Sequence, residues 1–236
     1  MARSKYQQMS LYAWLMLASF AGPFFLSFDK KVAYFRWWPA LFAGIGLNLI
    51  LFVIWDSWFT RTGVWSFNST YVWDYRVLDL PLEEWSFFVV VPYASIFIYA
   101  CLKAYTNDSW WQNKVRFLNY TFIIWSILVI IVFHDKTYTV VNFALALVIL
   151  LVQQYWIKGK YMGYFWMAYF VHLIPFFIVN GVLTGAVTPE PVVLYNSEEI
   201  IGVRLITIPI EDSVYALTCL LLPITVLEAI QQKMQK

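Results

Sequence analysis

Seven long apolar runs alternate with polar segments along the chain, and each run is close to the length of a helix that spans a bilayer. Lipid offers no hydrogen-bonding partner to an open backbone edge, so helices rather than strands are predicted for these runs. The pattern therefore predicts an all-α integral membrane protein with about seven transmembrane helices. The predicted spans are residues 11–28, 38–55, 84–102, 116–133, 139–157, 161–179 and 213–230.

Composition agrees with a membrane protein, because 61% of the 236 residues are hydrophobic and only 13% are charged. In soluble domains about a quarter of the residues are charged. The net charge is +2, and no run of Lys or Arg resembles a nucleic-acid-binding patch, so no nucleic-acid partner is expected. Cys101 and Cys219 have no Cys or His at metal-ligand spacing, which predicts free thiols and no metal site. His134 and His172 stand alone in apolar surroundings, so we expect them to pack or to form hydrogen bonds.

One polar motif occurs twice in this apolar chain. The first copy reads Arg76-Val-Leu-Asp-Leu-Pro-Leu-Glu-Glu84, and the second reads Arg204-Leu-Ile-Thr-Ile-Pro-Ile-Glu-Asp212. Self-similarity of this kind indicates an internal repeat. We predict a first unit over residues 1-105, a linker transmembrane helix over residues 106-135, and a second unit over residues 136-236. Because four predicted helices separate equivalent positions, the two units run in parallel through the membrane.

Long mixed segments lead into each copy of the motif, over residues 56–80 and 180–208. Asp56 and Thr60 at the exit of the second predicted helix have the same spacing as Asn180 and Thr184 at the exit of the sixth. Loops of this length in a compact protein are usually functional. We expect them to fold over the helix bundle as lids or short hairpins.

Lysine and arginine counts on the two sides predict the orientation. Ten of these residues fall in the joints after the first, third and fifth helices and in the C-terminal tail, and six fall on the other side. The positive-inside rule then predicts a multi-pass protein with its N-terminus outside and its C-terminus inside.

Each motif places two carboxyl groups at the start of a helix. A proline is tolerated in the first turn, and the helix dipole favours an acid there, so helix initiation alone could explain one acid per copy. It does not require the second acid. In parallel units both pairs lie at the same depth, where they can converge on one cavity and exchange a proton. The four acids are Glu83, Glu84, Glu211 and Asp212.

Aromatic residues follow both acidic pairs. They suit either an interfacial aromatic belt or the wall of a cavity that stabilises a positive charge. The residues that could stabilise a cation are Trp85, Phe87, Phe88 and Tyr215. Arg76 and Arg204 are interpreted as anchors for a carboxylate or for the loop.

Pro81-Leu-Glu-Glu84-Trp-Ser-Phe-Phe88 resembles the Pro-x-Glu-(Glu/Asp) motif and the following aromatics of the heterodimer-type lycopene cyclases of bacteria, archaea and fungi. Pro209-Ile-Glu-Asp212 is similar, with Tyr215 at the first aromatic place and Ala216 at the second. The resemblance covers nearly the whole chain as a fused, two-unit form. It implies a cofactor-independent lycopene β-cyclase that closes rings on a lipid-soluble carotenoid without net redox change.

The chemistry implied by the resemblance is protonation of a terminal double bond, ring closure through a carbocation and loss of a proton. We favour Glu83 and Glu211 as the main acid and base, with Glu84 and Asp212 tuning them or relaying protons. Asp56 and Asn180 would support these acids, as would Arg76 and Arg204. A substrate dissolved in the bilayer predicts a lateral opening between helices, and homo-oligomerisation is left open.

Two other classes of function are compatible with the same residues. Acids within membrane segments also mark proton paths, and parallel repeats are common in carriers, so a transporter or proton channel is the main alternative. Against it, the acids cluster at one end and no chain of polar residues crosses the apolar runs. A scaffold protein of pigment membranes, in which the acids only start helices, is the third.

Overall fold

A computed structural model describes residues 10–234. Arg3, Lys5 and Lys236, which contribute to the charge count, lie outside the described residues, as do the outer ends of the two predicted units. The described chain contains α1 (Leu11–Leu26), α2 (Trp38–Thr62), α3 (Leu82–Tyr105), α4 (Ser109–Val132), α5 (Thr137–Val152), α6 (Met162–Leu183) and α7 (Glu211–Met234). Six of these helical segments are long and apolar enough to cross a membrane, and α1 is a shorter apolar helix. The predicted all-α membrane fold is confirmed.

Two helices extend further than predicted and change the position of key residues. α2 continues to Thr62 and α6 continues to Leu183, so Asp56 and Asn180 lie inside helices rather than in loops. The prediction that the loops begin at these residues is wrong, because both side chains are buried in the bundle while a hydropathy window treats them as solvent-facing. Gly63, with φ of 77°, ends α2 in the left-handed conformation that favours glycine.

Other helix ends differ from the prediction by smaller amounts. α1 ends at Leu26, and α4 begins at Ser109, where its first turns carry polar and aromatic residues that an apolar window excludes. α5 is followed by a single π-helical turn, Gln153–Ile157. α3 and α7 begin at Leu82 and Glu211, which places both acidic pairs in the first turn of a helix.

The two long connections fold into short antiparallel strands, as expected. The strands are β1 (Trp65–Phe67), β2 (Arg76–Val77), β3 (Leu80–Pro81), β4 (Val193–Tyr195), β5 (Arg204–Leu205) and β6 (Ile208–Pro209). β2 pairs with β3, and β5 pairs with β6, so each copy of the motif forms a hairpin before its helix. β1 pairs with β4, with Trp65 opposite Tyr195, and this pairing joins the two connections.

Each hairpin is held by its own arginine. Arg76 Nη1 donates to the carbonyl of Asp79 at 3.2 Å, and Arg204 Nη1 donates to the carbonyl of Thr207 at 2.6 Å. Leu78 and Asp79 have φ of 54° and 66°, an uncommon conformation for residues with a side chain, so the arginine bond supports a strained turn. Both arginines therefore bond the backbone of their own hairpin.

The helices pack in a matching pattern in the two halves. α1 packs along α3 and α5 packs along α7, while α2 contacts α7 and α6 contacts α3. The α2–α7 contact is very close, because a Cβ atom added to Gly44 would lie 2.6 Å from the carbonyl oxygen of Pro223. Cys101 and Cys219 are free thiols, as expected, and Cys219 is buried where Asn48 Nδ2 contacts its sulfur at 3.6 Å.

Candidate active site

A small cavity of about 40 Å³ lies at the hairpin end of the bundle, between helices from both halves of the chain. Its carboxyl and amide side chains are Asp56 from α2, Glu84 from α3, Asn180 from α6 and Asp212 from α7. All four side chains are at most 8% exposed. A volume of this size holds about three water molecules. The fold therefore brings one acid of each pair to the same enclosed space.

Asp212 accepts three hydrogen bonds from side chains that surround it. Tyr138 donates to Oδ1 at 2.6 Å, while Asn180 Nδ2 and Tyr195 donate to Oδ2 at 2.8 and 3.0 Å. The pKa of Tyr195 is raised well above its usual value, mainly because the side chain is buried and also because the negative charge of Asp212 is close. This phenol therefore keeps its proton. Three donors directed at one carboxyl group provide the surroundings that an ionised carboxylate requires.

The first half of the chain surrounds its carboxyl groups with fewer donors. Glu84 Oε2 accepts a hydrogen bond from Tyr12 at 2.7 Å. Asp56 takes the place that Asn180 has in the other half, and its buried Oδ2 has no hydrogen-bond partner within residues 10–234. Two carboxyl groups that line one buried cavity repel each other when both are ionised. A proton held by one of them removes that repulsion and supplies a donor.

Glu83 and Glu211 are buried but do not line this cavity. Oε1 of each carboxyl group accepts one hydroxyl and one backbone N–H: Ser10 and Trp73 for Glu83, and Thr139 and Ile201 for Glu211. The backbone donor in each case belongs to the long connection, so these two acids attach the connections to the helix bundle. Oε2 of Glu83 and of Glu211 has no partner in the described part of the chain.

The predicted aromatic residues separate into two groups. Phe87 and Tyr215 line the cavity. Trp85 does not, because its indole N–H donates to the carbonyl of Val77 at 3.0 Å in the first hairpin. Phe88 is fully buried against Phe52, with ring centroids 6.0 Å apart.

Several site residues were not found by sequence reasoning. The cavity is also lined by Tyr12, Tyr138 and Phe176. The hydroxyl of Ser10 donates to Glu83, and that of Thr139 donates to Glu211. A usable signal existed, since a tyrosine and a hydroxyl residue lie within two positions of each other at the start of both α1 (Ser10 and Tyr12) and α5 (Tyr138 and Thr139). Extending the repeat back to these helix starts would have found both tyrosines.

Among residues 10–234, no group of three or more His, Cys, Asp or Glu side chains is arranged to hold a metal ion.

The fold and the site define a multi-pass, all-helical membrane protein with an enclosed cluster of acids at one end. The family model described as lycopene cyclase matches residues 9–102 and 135–230, and the chain belongs to this family. The matched segments leave out α4. The resemblance seen in the two motifs is confirmed.

A curated relative is a bifunctional lycopene cyclase/phytoene synthase from Pyrenophora tritici-repentis (strain Pt-1C-BFP). It is 30% identical over 95 residues, which cover 40% of this chain and 15% of the relative. The matched part therefore spans a small fraction of the relative's length. No solved structure matches the chain.

Proposed function

We propose that this protein is a cofactor-independent lycopene β-cyclase, an intramolecular lyase that acts on the ends of a linear carotenoid in the membrane. The observation that carries the proposal is the shared cavity, in which Glu84 and Asp212 from the two halves line one aromatic space. Family membership supports the same reaction class. Cyclisation of an alkene end group needs one proton donor, one acceptor and walls that tolerate a cation.

The reaction adds one proton and releases one proton. Protonation of the terminal C1–C2 double bond at C2 leaves a tertiary cation at C1. The C5–C6 double bond then attacks C1, which forms the C1–C6 bond and moves the cation to C5. Loss of the C6 proton restores the C5–C6 double bond and gives a β-ring. The ring faces of Phe87 and Tyr215 stabilise the cation without forming a bond to it.

The contacts favour a division of roles between the two halves. Asp56 and Glu84 share few donors and together hold the proton that is delivered to C2, while the triply bonded Asp212 receives the proton from C6. The preference for Glu83 and Glu211 as main acid and base stays a prediction. Their hydrogen bonds to the long connections support a role in holding the site together.

We further propose that the chain consists of two parallel units, residues 1-105 and 136-236, joined by a linker helix over residues 106-135. The same order of helix, strand, hairpin and helix in each half supports this proposal, as do the two segments matched by the family model. The cyclase would lie in the cell membrane with the hairpins outside. Accessibility of tags at the two termini to external protease tests this orientation.

Carotenoid extraction from lycopene-accumulating cells tests the function. We expect cyclised product with the wild type and loss of product in Glu84→Gln and Asp212→Asn at equal protein level. Glu228→Gln is the matched control, because Glu228 is a buried acid that bonds Tyr99 and Lys103 toward the C-terminal end of α3, away from the hairpins. Lycopene left unchanged by folded wild-type protein would refute the proposal. Proton flux in liposomes would then test the transporter alternative.

A further inference from the structure

A second, larger cavity of about 240 Å³ opens between α1, α3 and α6. Its walls are mostly apolar, and several of the wall residues are half-exposed or exposed at the surface of the bundle. Among these wall residues are Pro23, Val91, Ala94, Ile98, Pro175 and Val179. We name this cavity the α1/α3/α6 groove. From Phe87 to Ile98 it follows α3 for about 16 Å.

The groove reaches the acids. Phe87, Phe176 and Asn180 line both the groove and the small cavity, so the two spaces are neighbours with shared walls. Asn180 donates its amide to Asp212 at 2.8 Å, which places the inner end of the groove one residue from the proton acceptor. A chain lying in the groove would thus direct its end toward the acidic cavity.

The outer side of the groove faces the region that lipid occupies. Ile174 and Ile178 of α6 are 65% and 67% exposed, beside the groove residues Pro175 and Val179. In a membrane protein, large apolar side chains with this exposure contact the lipid hydrocarbon. A ligand that reaches the groove comes from the bilayer, and a long apolar molecule is the class that fits.

The corresponding helix pair in the other half is closed. α2 and α7 meet in the contact between Gly44 and the backbone of Pro223, where even one added Cβ atom would collide. Across the groove, Ser95 of α3 and His172 of α6 form a hydrogen bond of 2.9 Å, so side chains rather than backbones set the separation. The two halves therefore differ in the access that they give to the acids.

We infer that the α1/α3/α6 groove binds the conjugated chain of a linear carotenoid and admits its end group to the acids past Phe87 and Phe176. This inference rests on the proposed cyclase function. The cavity of about 40 Å³ is too small for an isoprenoid end group, so the two phenylalanine rings must turn aside when the end group enters. One groove admits one end of the chain at a time, so a monocyclic product precedes any bicyclic one.

A pair of neighbouring substitutions tests the groove. Val179→Trp fills it, whereas Ile178→Trp adds a similar volume on the lipid-facing surface of the same helix turn. In lycopene-accumulating cells we expect Val179→Trp to lower conversion by about tenfold or more, and Ile178→Trp to convert like the wild type. Ala94→Leu, on the facing helix, provides a smaller obstruction if the tryptophan variant does not accumulate, and it should also lower conversion.

Binding without turnover separates this inference from the function itself. In purified Glu84→Gln protein, lycopene bound in the groove should give an induced circular dichroism signal. The signal should be lost when Val179→Trp is added and retained when Ile178→Trp is added. An inactive wild type would refute the cyclase proposal. An active wild type, with Val179→Trp and Ala94→Leu as active as Ile178→Trp, would overturn the groove alone.

Discussion

Asp212→Asn is the substitution that best separates proton delivery from proton removal. Asparagine has nearly the same shape as aspartate, but one carboxylate oxygen becomes an NH₂ group that cannot accept a hydrogen bond. With the amide oxygen in the place of Oδ2, the bonds from Asn180 and Tyr195 remain and the bond from Tyr138 to Oδ1 is lost. Loss of one hydrogen bond to a buried charged group costs roughly 1.5–3 kcal/mol. This is below the 5–15 kcal/mol that is typical of folded proteins, so the variant is expected to fold.

The effect on the reaction should be larger than the effect on stability. A positioned general base contributes about 10²–10⁴-fold to a rate, or roughly 3–5 kcal/mol of barrier. Without Asp212 the cation at C5 still forms, because the donor side is intact. It then loses a proton from C4 or from the attached methyl group, or it captures water. Asp212→Asn should therefore give less β-ring product and a larger share of other rings or hydroxylated products.

The assay is chromatographic separation of products after incubation of membranes with lycopene in D₂O. Glu84→Gln should lower all products together without changing their ratio, since it acts before the cation forms. Deuterium should appear at C2 of every ring, whichever acid is replaced. An Asp212→Asn variant that makes β-rings at the wild-type rate, or a change of product ratio in Glu84→Gln instead, would refute the assigned roles. Glu228→Gln should match the wild type throughout.

Two further predictions concern packing and the tyrosine donor. Gly44→Ala should lower the thermal unfolding temperature in detergent, because its Cβ would lie 2.6 Å from the Pro223 carbonyl oxygen and overpacking costs about 1–3 kcal/mol. Gly46→Ala, with nothing within 4 Å, should stabilise the helix by about 0.5–1 kcal/mol, and equal effects at the two glycines would contradict the close contact. Tyr195→Phe should lower β-ring formation about tenfold, since a hydrogen bond to a charged group is lost. Tyr164→Phe, which removes a hydroxyl at the opposite end of the bundle, should have no such effect. Because the pKa of Tyr195 is raised, its hydroxyl stays protonated up to about pH 10, so deprotonation of Tyr195 should not reduce wild-type activity at any lower pH.

Local sequence signals predicted the elements of this fold well and their ends poorly. Apolar runs are visible in the linear order and predict the helices, but Asp56 and Asn180 interrupt the hydropathy, which places them in loops. Their burial against other helices is what lets α2 and α6 continue. Arg76 and Arg204 each lie near their turn in the sequence, and each donates to a carbonyl of its own hairpin.

The sequence by itself determined the membrane class, the helix number, the family and the four acids at two helix starts, because these depend on composition, run length and a motif repeated along the chain. Only the tertiary structure decided which acid of each pair meets the other half. Adjacent residues on a helix point about 100° apart, so Glu83 and Glu84 meet different surroundings. Helix rotation, set by packing, turns Glu84 and Asp212 inward and leaves Glu83 and Glu211 to the connections.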